Sequence, residues 1–316
     1  MIDSDAPSAS ASSRWLCAQR SRLPDGRWHF QHGPIDLIIG ADGEPAAVAG
    51  AVECAWARFQ AVLAELVAEL RLLRLPVQQA RRLRGPVARR MLAACWPHRA
   101  QFITPMAAVA GAVADEMIGF FRGEPGILRA YVNNGGDIAL HLAREQRFRV
   151  GLVADLARVK RREQLSLDGD FTVYAHAPVR GVATSGWGGR SFSLGIADSV
   201  TILARTAAQA DAAATMVANA VDVDDPAILR TPACQLKDDT DLGARPVTVS
   251  VGSLSEGKVE EALAAGQARA QDLLSAGTIY GAVLCLQGCV RVVGGALAAT
   301  VAPSSQWLAT TSRQRL

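Results

Sequence analysis

At 316 residues the chain can bury a sizeable apolar core, in one large domain or two fused ones. Half of its residues are hydrophobic and 20% are charged, which excludes general disorder, and a formal net charge of +3 gives no nucleic-acid-binding signature. Aromatics make up only 5% while alanine and glycine are abundant, so helices sitting tightly on sheets are expected.

Residues 1 to about 25, acidic and then Ser/Ala-rich, read as a disordered leader. They lack a basic stretch followed by an apolar run, so no signal peptide is expected, and no apolar segment is long enough to span a membrane. The six cysteines form no CxxC pair, as suits reduced thiols in a cytoplasmic protein. Cys285 and Cys289, four apart in an expected strand pair, are weak evidence for a metal.

Arg27–Gln31 alternates and Ile35–Ile39 is β-rich, and with His32-Gly33-Pro34 between them they predict a hairpin. A long helix follows from about Pro45 to Arg74, stopped by Pro76. Two shorter helices are broken by Gly85-Pro86 and Pro97. Thr104-Pro105 has the form of an N-cap with proline at the first helical position, opening an apolar helix to about Phe121. Strands are expected at 128–132, 138–142, 148–153, 171–175, 199–204 and 247–251, with a strand leading from Gly181 into the turn around Gly186. Helices over about 207–221 and 255–275, then strands at 279–286 and 290–298, complete the pattern. Irregular alternation with several hairpins predicts an α+β fold with mixed or antiparallel sheets packed with helices. Two arginine-rich runs, 81–90 and 158–162, read as solvated faces or as a phosphate-recruiting surface.

Three segments carry chemistry. Asp211 and Thr215 stand at i and i+4 on a small-residue helix and could supply one side of a magnesium shell. On spacing alone the structural alternative stands ahead: a carboxylate placed for the helix dipole and a hydroxyl bonded to its own helix. Asn133-Asn134-Gly135-Gly136-Asp137 reads as a tight hairpin turn, or as a cradle in which Gly136 clears space for a base or pyrophosphate and Asp137 orients the ligand or stabilises the loop. Thr184-Ser185-Gly186 could offer hydroxyls and free amides to a phosphate, or be an ordinary loop. His141 follows the Gly-Gly-Asp turn on a strand, as a structural residue or one facing the same cleft.

Taken in order, residues 104–111, 132–138, 183–186, 195–198 and 210–215 resemble the UPF0280 family, which is similar to ApbE, the FAD:protein FMN transferase. The resemblance spans roughly residues 26–300 as a single ApbE-like domain with room for two lobes, leaving 301–316 as a tail. It implies that Asp211 and Thr215 bind magnesium beside an FAD pyrophosphate. It further implies that Gly135, Gly136 and Asp137 line the nucleotide pocket, joined by Thr184, Ser185 and Gly186. Two family features are missing. In the K-G-Y-A-x-D segment Gly111 and Asp115 remain, but alanines 110 and 112 replace the lysine and tyrosine. Arg190–Gly195 stands where a histidine-bearing segment would follow Thr-Ser-Gly. ApbE proteins are typically exported and lipid-anchored, so flavin transfer onto proteins is not expected. The resemblance instead implies a cytoplasmic protein binding a phosphorylated flavin-, nucleotide- or pterin-like ligand with magnesium. If active, it would be a transferase or a phosphoryl- or nucleotidyl-handling enzyme. No catalytic residue is assigned. A role in making a methanopterin-linked one-carbon cofactor, and a non-catalytic binding or assembly role, stand as alternatives. Small-residue helices and β edges are compatible with a homodimer.

Overall fold

A computed structural model describes residues 17–79, 82–154 and 168–294, with the backbone of 302–303. Strands β1 (Gln19–Arg22), β2 (Trp28–His32) and β3 (Ile35–Gly43) form an antiparallel meander. The expected β2–β3 hairpin is present, and along β3 every second residue, Ile35, Leu37 and Ile39, is buried. Residues 19–22, assigned to the leader by their composition, instead pair with β2, so backbone hydrogen bonding orders a segment that has no apolar face of its own.

Helix α1 (Pro45–Ala68) opens on proline and buries Val52, Ala55, Phe59, Val62 and Leu66 at 3–4-residue spacing. It breaks at Glu69 before the single turn α2 (Leu70–Leu73). The Glu69 carboxylate accepts the amides of Arg84 and Gly85, at 2.7 and 2.8 Å, where α3 (Pro86–Cys95) begins. Helix α4 (Val109–Ile118) is preceded by a 3-10 turn over Pro105–Ala108. Thr104 precedes that turn but makes no capping bond; its hydroxyl donates instead to the Asp241 carboxylate.

The chain continues through β4 (Ile127–Asn134), β5 (Asp137–Leu142), β6 (Arg147–Leu152), β7 (Gly169–Tyr174), β8 (Gly181–Ser185) and β9 (Ser199–Ala204). Helix α5 (Ala207–Ala220), β10 (Ile228–Pro232), the short α6 (Ala233–Leu236), β11 (Pro246–Val251) and α7 (Glu256–Ser275) lead to β12 (Gly281–Leu286) and β13 (Cys289–Val293). One nine-stranded sheet runs β1-β2-β3-β4-β5-β8-β9-β12-β13, antiparallel at each pairing. Strands β6 and β7 form a second, smaller sheet, joined by β14 (Ala302–Pro303), and β10 pairs with β11. This is an α+β fold of largely antiparallel sheets with packed helices.

Helices cover one face of the large sheet and β6–β7 the other. All six residues of β9 and of β12 are therefore buried. Alternation assigns the faces: Val200 and Ile202 pack with α5 and α7, while Leu203 packs with Val150, Phe171 and Val173. Cys285 lies in the β6–β7 core, whereas Cys289 packs against the helical core on the opposite face. The two thiols therefore cannot share a metal. The basic run 158–162 lies outside the described residues.

Candidate functional site

Helix α5 is the hub of the site because its neighbours come close. Small residues line it, and α4, β8 and the connection before β9 present glycines where a side chain would collide. A Cβ on Gly111 of α4 would lie 2.3 Å from the Ala207 carbonyl oxygen, and one on Gly181 of β8 would lie 2.0 Å from the Thr206 carbonyl carbon. Ala210, Ala212, Ala213 and Ala214 are buried, whereas Asp211, Thr215 and Asn219 form a less buried stripe at four-residue spacing.

Two carboxylates cross between helices. Asp115, on α4, accepts the amides of Ala207 and Ala208 at 3.0 and 2.9 Å, at the start of α5. Asp211, on α5, accepts the Gly111 amide at 3.0 Å, in the first turn of α4. Asp211 therefore serves the dipole of the neighbouring helix, not its own; its own N-cap is Thr206, whose hydroxyl accepts from Gln209. Among the described residues, Thr215 has no hydrogen-bond partner for its hydroxyl, so the expected bond to its own helix is not made.

The Gly-Gly-Asp segment forms the β4–β5 turn. Asn134 pairs with Asp137, and both Gly135 (φ +65°) and Gly136 (φ +116°) occupy backbone conformations that favour glycine. Asn133 accepts the Gly136 amide, and the Asn134 side-chain amide donates to the Ala110 carbonyl at 3.1 Å, fixing the turn to α4. Ala139 is on the helical face of β5, so Asp137, two residues earlier, shares that face and points toward α5.

Asp137 and Asp211 interact electrostatically. Both are enclosed by protein yet keep part of their surface open to solvent. Burial pushes Asp137 up to about 7, opposed by the Thr184 amide and the Arg190 guanidinium. Asp211 is raised well above the carboxylate range, first by burial and then by the charge of Asp137, against the amides of Gly111 and Ala110. Asp115 is also raised by burial, with the two helix amides opposing.

The third segment divides between the two faces of the sheet. Val182 and Thr184 point to the β6–β7 side, where the Thr184 hydroxyl bonds Thr201 at 2.9 Å across the strands. Only the Thr184 amide faces Asp137. Ser185 shares the helical face with Ala183. Gly186 is packed: a Cβ there would lie 2.4 Å from the Asp198 carbonyl oxygen. His141, four residues beyond Asp137, approaches the Ile127 carbonyl at 3.4 Å and is held below the usual imidazole range mainly by burial, away from the turn.

Sequence reasoning passed over Arg190. Its guanidinium lies on the bare α-carbon of Gly135, where a Cβ would come within 2.0 Å of Nη2. The signal was present in sequence as an arginine following Gly188-Gly189, but only the fold shows which turn it covers. Among the described residues no group of three or more His, Cys, Asp or Glu could hold a metal by itself. A hard cation here would have two carboxylates and a hydroxyl, all oxygen donors, and would fill its remaining positions from ligand or water, which fits magnesium.

A family model described as AbpE bacteria matches residues 20–292. A UPF0280 protein of Methanothermobacter thermautotrophicus is 36% identical over 169 residues, covering 53% of this chain and 61% of that protein. Another, of Methanopyrus kandleri, is 38% identical over 139 residues, covering 43% of this chain and 51% of that one. The chain thus spans little more than half the length of these relatives. The crystal structure of the ApbE protein from Thermotoga maritima is similar at 15% identity, with a TM-score of 0.35, covering 63% of this chain and 53% of that one. Among the described residues no helix is long and apolar enough to cross a membrane. Matched over residues 20–292, this chain belongs to the AbpE bacteria family, and its UPF0280 relatives bear out the likeness its motifs carry.

Proposed function

We propose that the chain binds a phosphorylated flavin-, nucleotide- or pterin-like ligand together with magnesium, in the cytoplasm, at the cleft between the β4–β5 turn, the end of β8 and α5. The observation that supports this most is the pair Asp137 and Asp211: two enclosed carboxylates that repel one another, with the Arg190 guanidinium acting on Asp137 but no cation among the causes that set Asp211. Burying like charges is unfavourable unless a cation offsets it. Magnesium held by Asp211, Thr215 and Asp137 would neutralise ligand phosphate charge. The chain's own residues would do the rest. Asp211 is steadied by the Gly111 amide, Gly136 leaves backbone open to a planar or pyrophosphate group, and Ser185 offers a hydroxyl on the same face.

Titrating the full chain by calorimetry with flavin nucleotides and pterins, with and without magnesium, tests this. Magnesium-dependent binding that Asp211→Ala abolishes is the expected result. Binding and magnesium dependence unchanged in Asp211→Ala would remove the site assignment.

A second reading, a non-catalytic binding or assembly protein, is favoured by the engagement of Asp211 as a tie between helices. Under the ligand-binding reading, a place in one-carbon cofactor synthesis is motivated by the Methanothermobacter and Methanopyrus relatives. Normal pools of such cofactors after deletion of the gene would count against it.

A further inference from the structure

The Arg190 side chain has no carboxylate within ion-pair distance among the described residues and no hydrogen-bond partner there. An arginine free of partners usually extends into water. This one lies against Gly135, with Nη2, Cζ and Nε at 2.0, 2.7 and 3.3 Å from where a Cβ would stand. Any other residue at 135 would displace it. Gly135 therefore makes the turn and also clears the seat for a guanidinium.

The connection that carries Arg190 is pinned along its length. Trp187 donates its ring N–H to Asp198 at 3.1 Å and its amide to the Ala197 carbonyl at 3.0 Å. Gly189 closes a turn onto Gly186. Leu194 donates to the Asn219 side chain at 3.0 Å, and a Cβ on Gly195 would lie 2.2 Å from the Ala218 carbonyl oxygen. Asn219 is the last member of the stripe that begins with Asp211 and Thr215. The loop thus hangs over the same side of α5 as those two residues and delivers a guanidinium beside Asp137.

We propose that Arg190 is the anion-recognising residue of this site, binding the phosphate or pyrophosphate oxygens of the ligand. This rests on the ligand-binding reading above and adds to it the class of group recognised: an oxyanion chelated to a divalent cation. A guanidinium reads such oxygens two at a time, and its exposed face leaves them room. Because Arg190 is exposed and makes no tertiary hydrogen bond among the described residues, replacing it leaves the fold intact.

The test is calorimetry on the full chain with inorganic pyrophosphate as probe, at fixed magnesium, beside a magnesium titration without anion. In Arg190→Ala the pyrophosphate affinity should fall about 10- to 100-fold, as expected for loss of a charge-assisted contact. Arg190→Lys should recover part of it, and the affinity for magnesium alone should be unchanged or slightly raised. In Asp211→Asn both affinities should fall. If Arg190→Ala binds pyrophosphate within twofold of the parent while Asp211→Asn does not bind, Arg190 is overturned and the site stands. If the parent chain binds no pyrophosphate with magnesium present, the ligand-binding reading fails and takes this proposal with it. If pyrophosphate binds equally without magnesium and still depends on Arg190, the anion role holds and the metal is removed from the reading.

Discussion

Asp115 and Asp211 cap each other's helices. Asp115 leaves α4 to take the Ala207 and Ala208 amides of α5, and Asp211 leaves α5 to take the Gly111 amide of α4. A helix N-terminus leaves four amides without internal partners, and buried amides left unmet are costly. Exchanging carboxylates solves this for two closely packed helices. It also sets Asp211 rigidly beside Asp137, so the same contact that holds the fold positions the site.

The two carboxylates should differ in what their removal does. Asp115→Ala loses two charge-assisted backbone bonds and should cost about 2 kcal/mol of folding stability. Urea unfolding would show this as a lower midpoint at unchanged slope. Asp115→Asn keeps one acceptor oxygen and should lose less. A loss under about 0.5 kcal/mol in Asp115→Ala would mean the helix amides are met in another way.

Stability should also depend on pH through the Asp137–Asp211 pair. Burial raises both groups, so the folded state holds their protons more tightly than the unfolded chain does. Between the unfolded carboxylate value of 3.8 and about 7, the folded protein therefore binds more protons, and stability from this pair falls as pH rises. Melting temperatures of Asp211→Asn should decline less over that window than those of the parent. Magnesium should raise the parent's melting temperature at pH 8 more than at pH 5. Parallel pH curves for parent and variant would disprove the charge coupling.

Much of this architecture was legible from local pattern. The β-rich run Ile35–Ile39, the strand expected at 199–204 and the helices expected over about 207–221 and 255–275 mark elements the structure contains. Segments whose structure comes from a partner were not legible. Gln19–Arg22 has no apolar face and is a strand because β2 supplies hydrogen bonds. Thr104 has the form of a cap, but its hydroxyl is taken by Asp241, 137 residues away. Within the site, spacing marked Asp211 and Thr215, and the glycine pair marked the turn. The direction of Thr184 depends on which face of β8 meets α5, and the seat of Arg190 depends on two loops meeting. Neither is encoded within a few residues.

His98 should give a pH dependence of the opposite sign. It is buried between α3 and α7, and burial, then the neighbouring Arg269, push its imidazole down to about 4. Below the usual imidazole value of 6.5 the unfolded chain takes up a proton that the folded chain refuses. Its contribution to stability is thus complete above pH 6.5 and is lost as pH falls toward 4. In His98→Leu this acid-side loss should disappear, so melting temperatures between pH 4 and 6.5 should fall more steadily with rising pH than in the parent. The same profile in both proteins would place the titration elsewhere.

Two glycine substitutions should move stability in opposite directions. Gly111 lies inside α4, where alanine would ordinarily favour the helix. Its added methyl, however, would stand 2.3 Å from the Ala207 carbonyl oxygen, which is backbone and cannot swing away. Gly111→Ala should therefore cost about 1–3 kcal/mol by forcing the two helices apart. That separation also lengthens both carboxylate caps, so the variant should lose magnesium affinity if Asp211 is a ligand. Gly50, on the exposed face of α1, has nothing within 4 Å of where an alanine methyl would stand. Gly50→Ala should stabilise by about 0.5–1 kcal/mol and leave ligand binding unchanged. Chemical denaturation of both variants beside the parent reads the difference. If Gly111→Ala proved as benign as Gly50→Ala, the helices would not be as closely packed as their backbones indicate, and the reciprocal capping of Asp115 and Asp211 would lose its geometric basis.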